Sequence, residues 1–159
     1  MNKLQDYILE KLKINSNTKI SKQDYKYHPK WRIDLMQIIE KRIKEEQDNI
    51  DFNDIDTSNI DDMEGIFAYK SKLTHIDISE WDVSNVEDMT EMFAGCKSLE
   101  SIGDISDWKI DKLTDITGMF YGCDKLINTG DLNKWDASKI KLKQNAFSQA
   151  NENIIPKWA

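Results

Sequence analysis

Aromatic residues recur along this chain at a nearly constant spacing, and this repeat constrains the fold more than any other feature. Trp81, Trp108 and Trp135 follow one another at intervals of 27 residues. A phenylalanine stands 12 residues after each tryptophan, and one earlier phenylalanine keeps the register: Phe67, Phe93, Phe120 and Phe147. Recurrence at a period of about 20 to 50 residues is typical of stacked units that share one core. The spacing therefore predicts a repetitive architecture that functions through its surface.

Apolar residues occupy matching positions around these phenylalanines. The residues seven positions before them are Ile60, Val86, Leu113 and Ile140, and the residues six positions after the first three are Leu73, Leu99 and Leu126. We number the copies in chain order, so that the first to fourth copies contain Phe67, Phe93, Phe120 and Phe147 respectively. Trp158 lies 23 residues after Trp135 and outside this register, where it either covers the last copy or sits in an intermolecular contact.

The charge of the chain divides near residue 50, which predicts two domains. Residues 1–49 carry a net charge of +3 and residues 50–159 a net charge of −10, which gives −7 overall. We expect an N-terminal head or cap at 1–49 and a repeat domain with a degenerate C-terminal cap at 50–159. The acidic domain excludes nucleic-acid binding by phosphate neutralisation, since that mode needs clustered Lys and Arg. No membrane partner is expected, because no apolar run approaches the roughly 20 residues of a span.

Two helices are predicted in the N-terminal head. Leu4, Ile8 and Leu12 share one helical face, and polar residues 15–18 end that helix. A second helix begins near Pro29, because an apolar stripe at helical spacing follows it: Trp31, Leu35, Ile38, Ile39 and Ile43. We expect the head to cover the open end of the repeats, and a partner-binding amphipathic helix is the alternative.

The second copy carries a specific motif. Residues 81–99 read WDVSNVEDMTEMFAGCKSL, and the third copy keeps the Trp, Met-Phe, Cys and Leu positions. Over about residues 50–150 the chain resembles the BspA-type leucine-rich repeat family, whose members carry serial WDVSNV-xxM-xxMF-xxC-xxL units. The first copy departs from this pattern with Ile55 in the Trp position and Lys70 in the Cys position.

The resemblance implies an α+β fold, a short leucine-rich-repeat-like solenoid of about four 26–27-residue units capped by the N-terminal helical head. Each unit would contribute short strands and a helical turn. Leu99, Ser101 and Ile102 suit such a strand, and residues 90–93 suit a turn that directs Phe93 inward. Members of the family are usually surface or secreted proteins that bind host or neighbouring molecules.

Nothing in the sequence predicts an enzyme or a cofactor. The nucleophile elbow, the phosphate-binding loop and the zinc-protease helix are all missing. Cys96 and Cys123 occupy equivalent positions in neighbouring copies, which suits either two buried thiols or a disulfide. We expect no metal site, because the chain has no paired Cys-x-x-Cys elements and its two histidines lie in different segments.

The sequence favours a non-catalytic protein–protein interaction module with an acidic repeat surface. The candidate partner-binding residues are acids of the first two copies: Asp54, Asp56, Asp61, Asp62, Glu64, Glu87, Asp88 and Glu91. Such a surface suits a basic protein partner, whose identity stays open. Unfinished ends of a repeat stack also allow self-association through strand edges.

The opening segment suggests a second hypothesis. Residues 1–20, MNKLQDYILEKLKINSNTKI, resemble leader segments on proteins of gut bacteriophages and their hosts. A phage-encoded protein of this kind could inhibit a host defence enzyme by placing carboxylates where nucleic-acid phosphates bind. It could equally be packaged in the virion, with Leu4, Ile8 and Leu12 as a docking helix. Since the opening lacks the apolar stretch of a secretory signal, we expect the cytoplasm, with the virion as alternative.

Overall fold

The computed structural model describes residues 24–159, and its regular elements are few and short. One α-helix, α1, spans Arg32–Glu46. Two strands, β1 at Ile50–Asp51 and β2 at Ile76–Asp77, pair in parallel with Ile50 opposite Ile76. Three 3-10 turns follow nearer the C-terminus: Leu132–Lys134, Ala137–Lys139 and Glu152–Ile154. In this part of the chain, no helix has both the length and the apolar character needed to cross a bilayer.

The predicted fold class, an α+β leucine-rich-repeat-like solenoid of about four strand-and-turn units with a helical head, is wrong. Residues 24–159 form a small mixed structure with one α-helix and one pair of two-residue strands. The strand expected at Leu99–Ile102 does not form, and Ser101 instead makes isolated bridges to His75 and Asn128. The first predicted helix, with Leu4, Ile8 and Leu12, lies outside the described residues.

The backbone conformation explains why strands do not extend through the copies. Each copy has at least two residues with left-handed φ angles, for example Gly95 at 70° in the second copy and Gly122 at 72° in the third. Neither a β-strand nor an α-helix can continue through a residue in this region. Apart from the β1–β2 pair, neighbouring copies are therefore joined by backbone hydrogen bonds between turns and by single-residue bridges.

The repeated aromatic residues form the core, as predicted. Phe93 is fully buried, and its ring stacks between Phe67, at a centroid distance of 5.3 Å, and Phe120, at 5.5 Å. Trp135 is also buried, and Trp158 stacks on it at 6.4 Å. Trp158 thus covers the last copy, which is one of the two roles predicted for this residue outside the 27-residue register.

The helix α1 joins this core through the apolar stripe that predicted it. Leu35 and Ile39 are fully buried and belong to the same apolar cluster as the phenylalanines, whereas Trp31, just before the helix, is 65% exposed. The Asp34 carboxylate accepts a hydrogen bond from the Trp31 amide at 3.2 Å, which satisfies a donor at the start of the helix. The predicted division into domains 1–49 and 50–159 stays a prediction.

Arg42 ties α1 to the chain that follows it. Its side chain is only 9% exposed, and it donates to Asp54 Oδ1 and to the carbonyl oxygen of Asp51, both at 2.8 Å. A further ion pair joins it to Glu46. Burial alone would lower the pKa of Arg42, but the bonds to Glu46 and Asp54 outweigh burial and raise this pKa. The guanidinium is therefore a buried, charged link between α1 and the first copy.

Candidate partner-binding surface

Ten aspartates of the repeats lie in three rows, and each of these ten closes a turn of the backbone. In such a turn the carboxylate accepts a hydrogen bond from the amide two residues further along. Asp62, Asp88 and Asp115 form one row, with N–O distances of 2.7 to 2.8 Å, and parallel bridges join its neighbouring members. Two more rows consist of Asp51, Asp77, Asp104 and Asp131, and of Asp56, Asp82 and Asp136. Many aspartates of the repeats therefore have a structural role, because their carboxylates stabilise backbone turns.

At Asp104 and Asp131, the turn hydrogen bonds also favour the ionised form of the carboxylate. The Ser106 hydroxyl and amide donate to Asp104 and lower the pKa of this carboxyl below its usual value. Asn133 lowers the pKa of Asp131 in the same way. Because a hydrogen-bonded carboxylate loses its donor's stabilisation when it is protonated, the charged form is favoured. Asp104 and Asp131 therefore carry negative charge in the physiological pH range.

Asp54 and Asp56, two of the predicted partner-binding residues, are paired within the chain. Asp54 accepts the hydrogen bond from Arg42 described above. Oδ1 of Asp56 accepts from the amide and the hydroxyl of Ser58 at 3.1 and 2.6 Å, and its Oδ2 lies 3.5 Å from His28 Nδ1. Both acids are half-buried. They hold the segment before and within α1 against the first copy.

Asp62 and Glu64 are likewise paired with a basic residue of α1. The Arg32 guanidinium lies 3.4 Å from the Asp62 carboxylate and forms an ion pair with Glu64. The hydrogen bond to Glu64 is the largest influence on the pKa of Arg32 and raises it. The helix α1 thus neutralises the part of the predicted surface that belongs to the first copy.

The other four predicted residues make no ion pair with a lysine or arginine of residues 24–159. Asp61, Glu87 and Glu91 are exposed, and Asp88 is half-buried. The Glu87 amide donates to the Asp61 carbonyl oxygen at 2.8 Å, which places these two acids side by side in neighbouring copies. We call Asp61, Glu87, Asp88 and Glu91 the acidic patch.

Glu91 has a backbone conformation that a glutamate disfavours. Its φ angle is 53°, and the equivalent positions of the other copies hold Gly65, Gly118 and Asn145, at 62°, 61° and 58°. Glycine and asparagine tolerate this left-handed region, whereas a longer side chain costs roughly 1–2 kcal/mol there.

Tyr69 is a similar residue that is not among the predicted partner-binding residues. Its φ angle is 61°, its side chain is 68% exposed, and the equivalent positions hold Gly95, Gly122 and Gln149. A Cβ atom on Gly95 would lie 2.6 Å from the Tyr69 ring, so the ring covers the backbone of the second copy. Comparing the copies would have singled out this tyrosine, because the next two copies have glycine. Exposed tyrosines are common among residues that dominate binding.

The two cysteines are free, buried thiols. Cys96 Sγ and Cys123 Sγ donate to the carbonyl oxygens of Phe67 and Phe93, each at 3.1 Å. Burial raises the pKa of Cys96 to about 11 and that of Cys123 to about 12, so both stay protonated near neutral pH. Among residues 24–159, no group of three or more His, Cys, Asp or Glu side chains is placed to hold a metal ion.

The candidate docking helix with Leu4, Ile8 and Leu12 lies outside the described residues.

The chain matches a family model described as Mycoplasma protein of unknown function, DUF285, over residues 34–158. No curated protein and no solved structure matches the chain. The matched span contains most of α1 and all four phenylalanines of the repeat.

Proposed function

The chain belongs to the DUF285 family of Mycoplasma proteins of unknown function, and we propose that it acts as a non-catalytic protein-binding module. In this proposal the acidic patch binds a basic segment of a partner protein. The chain's resemblance to BspA-type proteins, which bind host or neighbouring molecules, agrees with such a role.

The observation that carries this proposal is the strained conformation of Glu91. Folding alone would be better served by glycine, which stands at the same position in the first and third copies. A glutamate at φ 53° instead places an exposed acidic side chain on a tightly bonded turn, since the Glu91 amide donates to the Thr117 carbonyl oxygen at 2.8 Å. Because the turn already fixes the backbone, only the side chain of Glu91 loses freedom on binding.

The surroundings of the patch support a cationic partner. Asp61 and Glu87 are exposed neighbours that no lysine or arginine of residues 24–159 neutralises. Like charges held close together attract an oppositely charged surface and steer its approach. Binding through exposed carboxylates should weaken with salt, because the Debye length falls from about 10 Å at 0.1 M to about 3 Å at 1 M ionic strength.

The test compares the full chain with a Glu87→Lys/Glu91→Lys variant, each immobilised and exposed to extract of the source cell. Retained proteins are identified by mass spectrometry at low and at high salt. We expect the native chain to retain basic proteins that the variant loses and that high salt releases. Thermal unfolding of both chains shows whether the variant is folded.

The matched control is Asp111→Lys/Asp124→Lys, which changes the net charge by the same amount at two exposed acids outside the patch. It should retain the same proteins as the native chain. If the Glu87→Lys/Glu91→Lys variant captured the same proteins as the native chain, the acidic patch would not be the binding surface.

A further inference from the structure

Backbone hydrogen bonds around the phenylalanines run in one direction along the repeats. In each of the first three copies, four amides at alternate residues donate to carbonyl oxygens of the following copy, at 2.7 to 3.0 Å. In the second copy, for example, the amides of Met89 and Phe93 donate to the carbonyl oxygens of Asp115 and Met119, both at 2.9 Å. We call this series of bonds the ladder. Each copy thus depends on the next one for its acceptors.

The ladder ends at the fourth copy, where the corresponding amides have no acceptor. These amides belong to Lys143, Asn145, Phe147 and Gln149, and none of them donates to an atom of residues 24–159. Phe147 is half-buried and the other three residues are exposed. A row of open backbone donors at an edge is a template on which another chain can pair.

Leu142 leaves a further donor open at this end. The three preceding copies have an aspartate in its position, and each carboxylate accepts the amide two residues further along: Asp62, Asp88 and Asp115. A leucine side chain cannot accept a hydrogen bond, and the Gln144 amide has no acceptor in the described part of the chain. The Leu142 side chain is 47% exposed. The fourth copy therefore lacks both the next copy and the carboxylate that would satisfy its amides.

The fourth copy is basic, although residues 50–159 as a whole are acidic. Lys139, Lys141 and Lys143 are exposed, and residues 137–151 contain no Asp or Glu. Lys141 takes the position that Asp61 and Glu87 occupy in the first and second copies. Neither Lys139 nor Lys141 makes an ion pair within residues 24–159. Unpaired cations beside open amides suit an occupant with negative charge.

The direction of the ladder disfavours a second copy of this chain as the occupant. Two fourth copies facing each other would place donors against donors. A fourth copy could continue its ladder only on the carbonyl oxygens of another molecule's first copy, and α1 lies over that end. Arg32 of α1 donates to the Glu64 carbonyl oxygen at 3.4 Å, and Glu40 of α1 forms an ion pair with Lys70. The acceptors must therefore come from another protein.

We propose that the open end of the ladder binds an acidic segment of a partner protein. Backbone carbonyl oxygens of the segment accept the amides of Lys143, Asn145 and Phe147, and its carboxylates pair with Lys139 and Lys141. When a peptide pairs with an exposed edge in this way, the main-chain bonds provide affinity and the side chains provide specificity. This end shares no residue with the acidic patch, so the inference goes beyond the proposed function and does not rest on it.

The first measurement titrates the full chain with a fluorescein-labelled peptide of alternating glutamate and glycine and follows fluorescence anisotropy. Glycine lets this peptide adopt left-handed φ angles like those between the acceptors of the third copy. Lys139→Gln/Lys141→Gln should weaken the affinity about tenfold, equivalent to about 1.4 kcal/mol. The matched pair Lys72→Gln/Lys97→Gln removes the same charge from exposed positions in the first and second copies and should change the affinity little.

The second measurement follows amide hydrogen exchange by NMR, with and without the peptide. In the free chain, the amides of Lys143 and Asn145 should exchange faster than those of Ile116 and Gly118. The latter hold the same positions in the third copy and donate to the fourth copy at 2.9 Å. Saturating peptide should slow exchange at Lys143 and Asn145, because their amides gain acceptors, and should leave Ile116 and Gly118 unchanged.

Leu142→Asp tests the open donors without removing a lysine. Its carboxylate should accept the Gln144 amide, as Asp115 accepts the Thr117 amide at 2.8 Å, and it adds negative charge at the open end. Peptide binding should therefore weaken, while the melting temperature stays the same or rises. Leu142→Asn is the control for charge, because it supplies an acceptor without ionising, and it should weaken binding less.

Four outcomes would overturn the proposal. The first is equal weakening by the two lysine pairs, and the second is exchange at Lys143 and Asn145 that saturating peptide does not slow. The third is equal affinity for an oligothymidine of the same charge, since the lysines would then attract any polyanion. The fourth is self-association of the peptide-free chain that Lys139→Gln/Lys141→Gln abolishes in sedimentation, since the occupant would then be a second copy. None of these results bears on capture of basic proteins by the acidic patch, so the two proposals fail separately.

Discussion

The carboxylate of Asp48 replaces a backbone carbonyl opposite Thr74. Its Oδ1 accepts hydrogen bonds from the amides of Thr74, at 3.1 Å, and His75, at 2.8 Å, and its Oδ2 binds the Thr74 hydroxyl. One copy further along, the Thr74 carbonyl oxygen itself accepts the equivalent amides, those of Glu100 and Ser101. A side chain thus satisfies, at the start of the repeats, the donors that a preceding carbonyl satisfies later.

This arrangement predicts a loss of stability in acid. Burial alone would raise the pKa of Asp48, but the hydrogen bonds from Thr74, His75 and Asn49 outweigh it and lower the pKa from 3.8 to about 2. Because the folded pKa is the lower one, the stabilisation is complete above pH 3.8 and is lost as the pH falls toward about 2. Asp48→Ala should therefore destabilise the protein near neutral pH, and its difference from the native chain should shrink across this window in urea unfolding.

Asp48→Asn serves as the control for charge, because the amide oxygen still accepts hydrogen bonds but does not titrate. It should cost less stability than Asp48→Ala near neutral pH. A stability difference between the native chain and Asp48→Ala that stayed constant from neutral pH to pH 2 would contradict the role of the charged carboxylate.

Arg42→Met should destabilise the protein by about 2 kcal/mol. Removing one partner of a fully buried ion pair typically costs about 3–5 kcal/mol. The loss is smaller here because the Asp54 and Glu46 side chains are 34% and 41% exposed and so keep access to water. Lys41→Met changes the exposed neighbour on α1 and should stay within about 0.5 kcal/mol of the native value. Equal unfolding midpoints for the two variants in urea would show that Arg42 does not tie α1 to the first copy.

Phe93→Ala should cost about 3–5 kcal/mol, because it removes a fully buried ring that stacks on two others. Phe147→Ala is the control in the same register, and its smaller cost follows from the half-buried position of Phe147 in the fourth copy. Calorimetry or urea unfolding gives both values. A Phe147 variant as unstable as the Phe93 variant would mean that the last copy is packed as tightly as the second.

Glu91→Gly should raise stability by about 1 kcal/mol and weaken partner capture. Glycine relieves the left-handed conformation at φ 53°, which a residue with a Cβ atom disfavours. Glu87→Gly is the matched control, since Glu87 has no left-handed φ angle and glycine there should destabilise the chain. Loss of stability in Glu91→Gly would show that the glutamate side chain contributes to folding, and the functional interpretation of the strain would fail.

The helix α1 and the aromatic core could be predicted from the sequence because each depends on a local rule. Leu35 and Ile39 are buried where the helical stripe places them, and Phe93 and Phe120 stack as their matched positions predict. The fold class was predicted wrongly for a physical reason. The period of apolar residues indicates which side chains meet, but left-handed residues such as Gly95 and Gly122 decide that the backbone between them forms turns.

The candidate surface shows the same limit. The acids were visible in the sequence, but their partners were not: Asp54 pairs with Arg42, and Glu64 pairs with Arg32, a residue 32 positions earlier. The repeated tryptophans were visible too, yet the sequence did not show that the buried indole N–H of Trp108 has no acceptor among the described residues.

The sequence by itself determined which residues avoid water, since apolar burial depends on side-chain chemistry that recurs at a readable spacing. Only the tertiary structure decided which charges stay free and which donors lack partners. Hydrogen bonds and ion pairs require contact within a few ångströms, and that contact joins residues far apart in the chain.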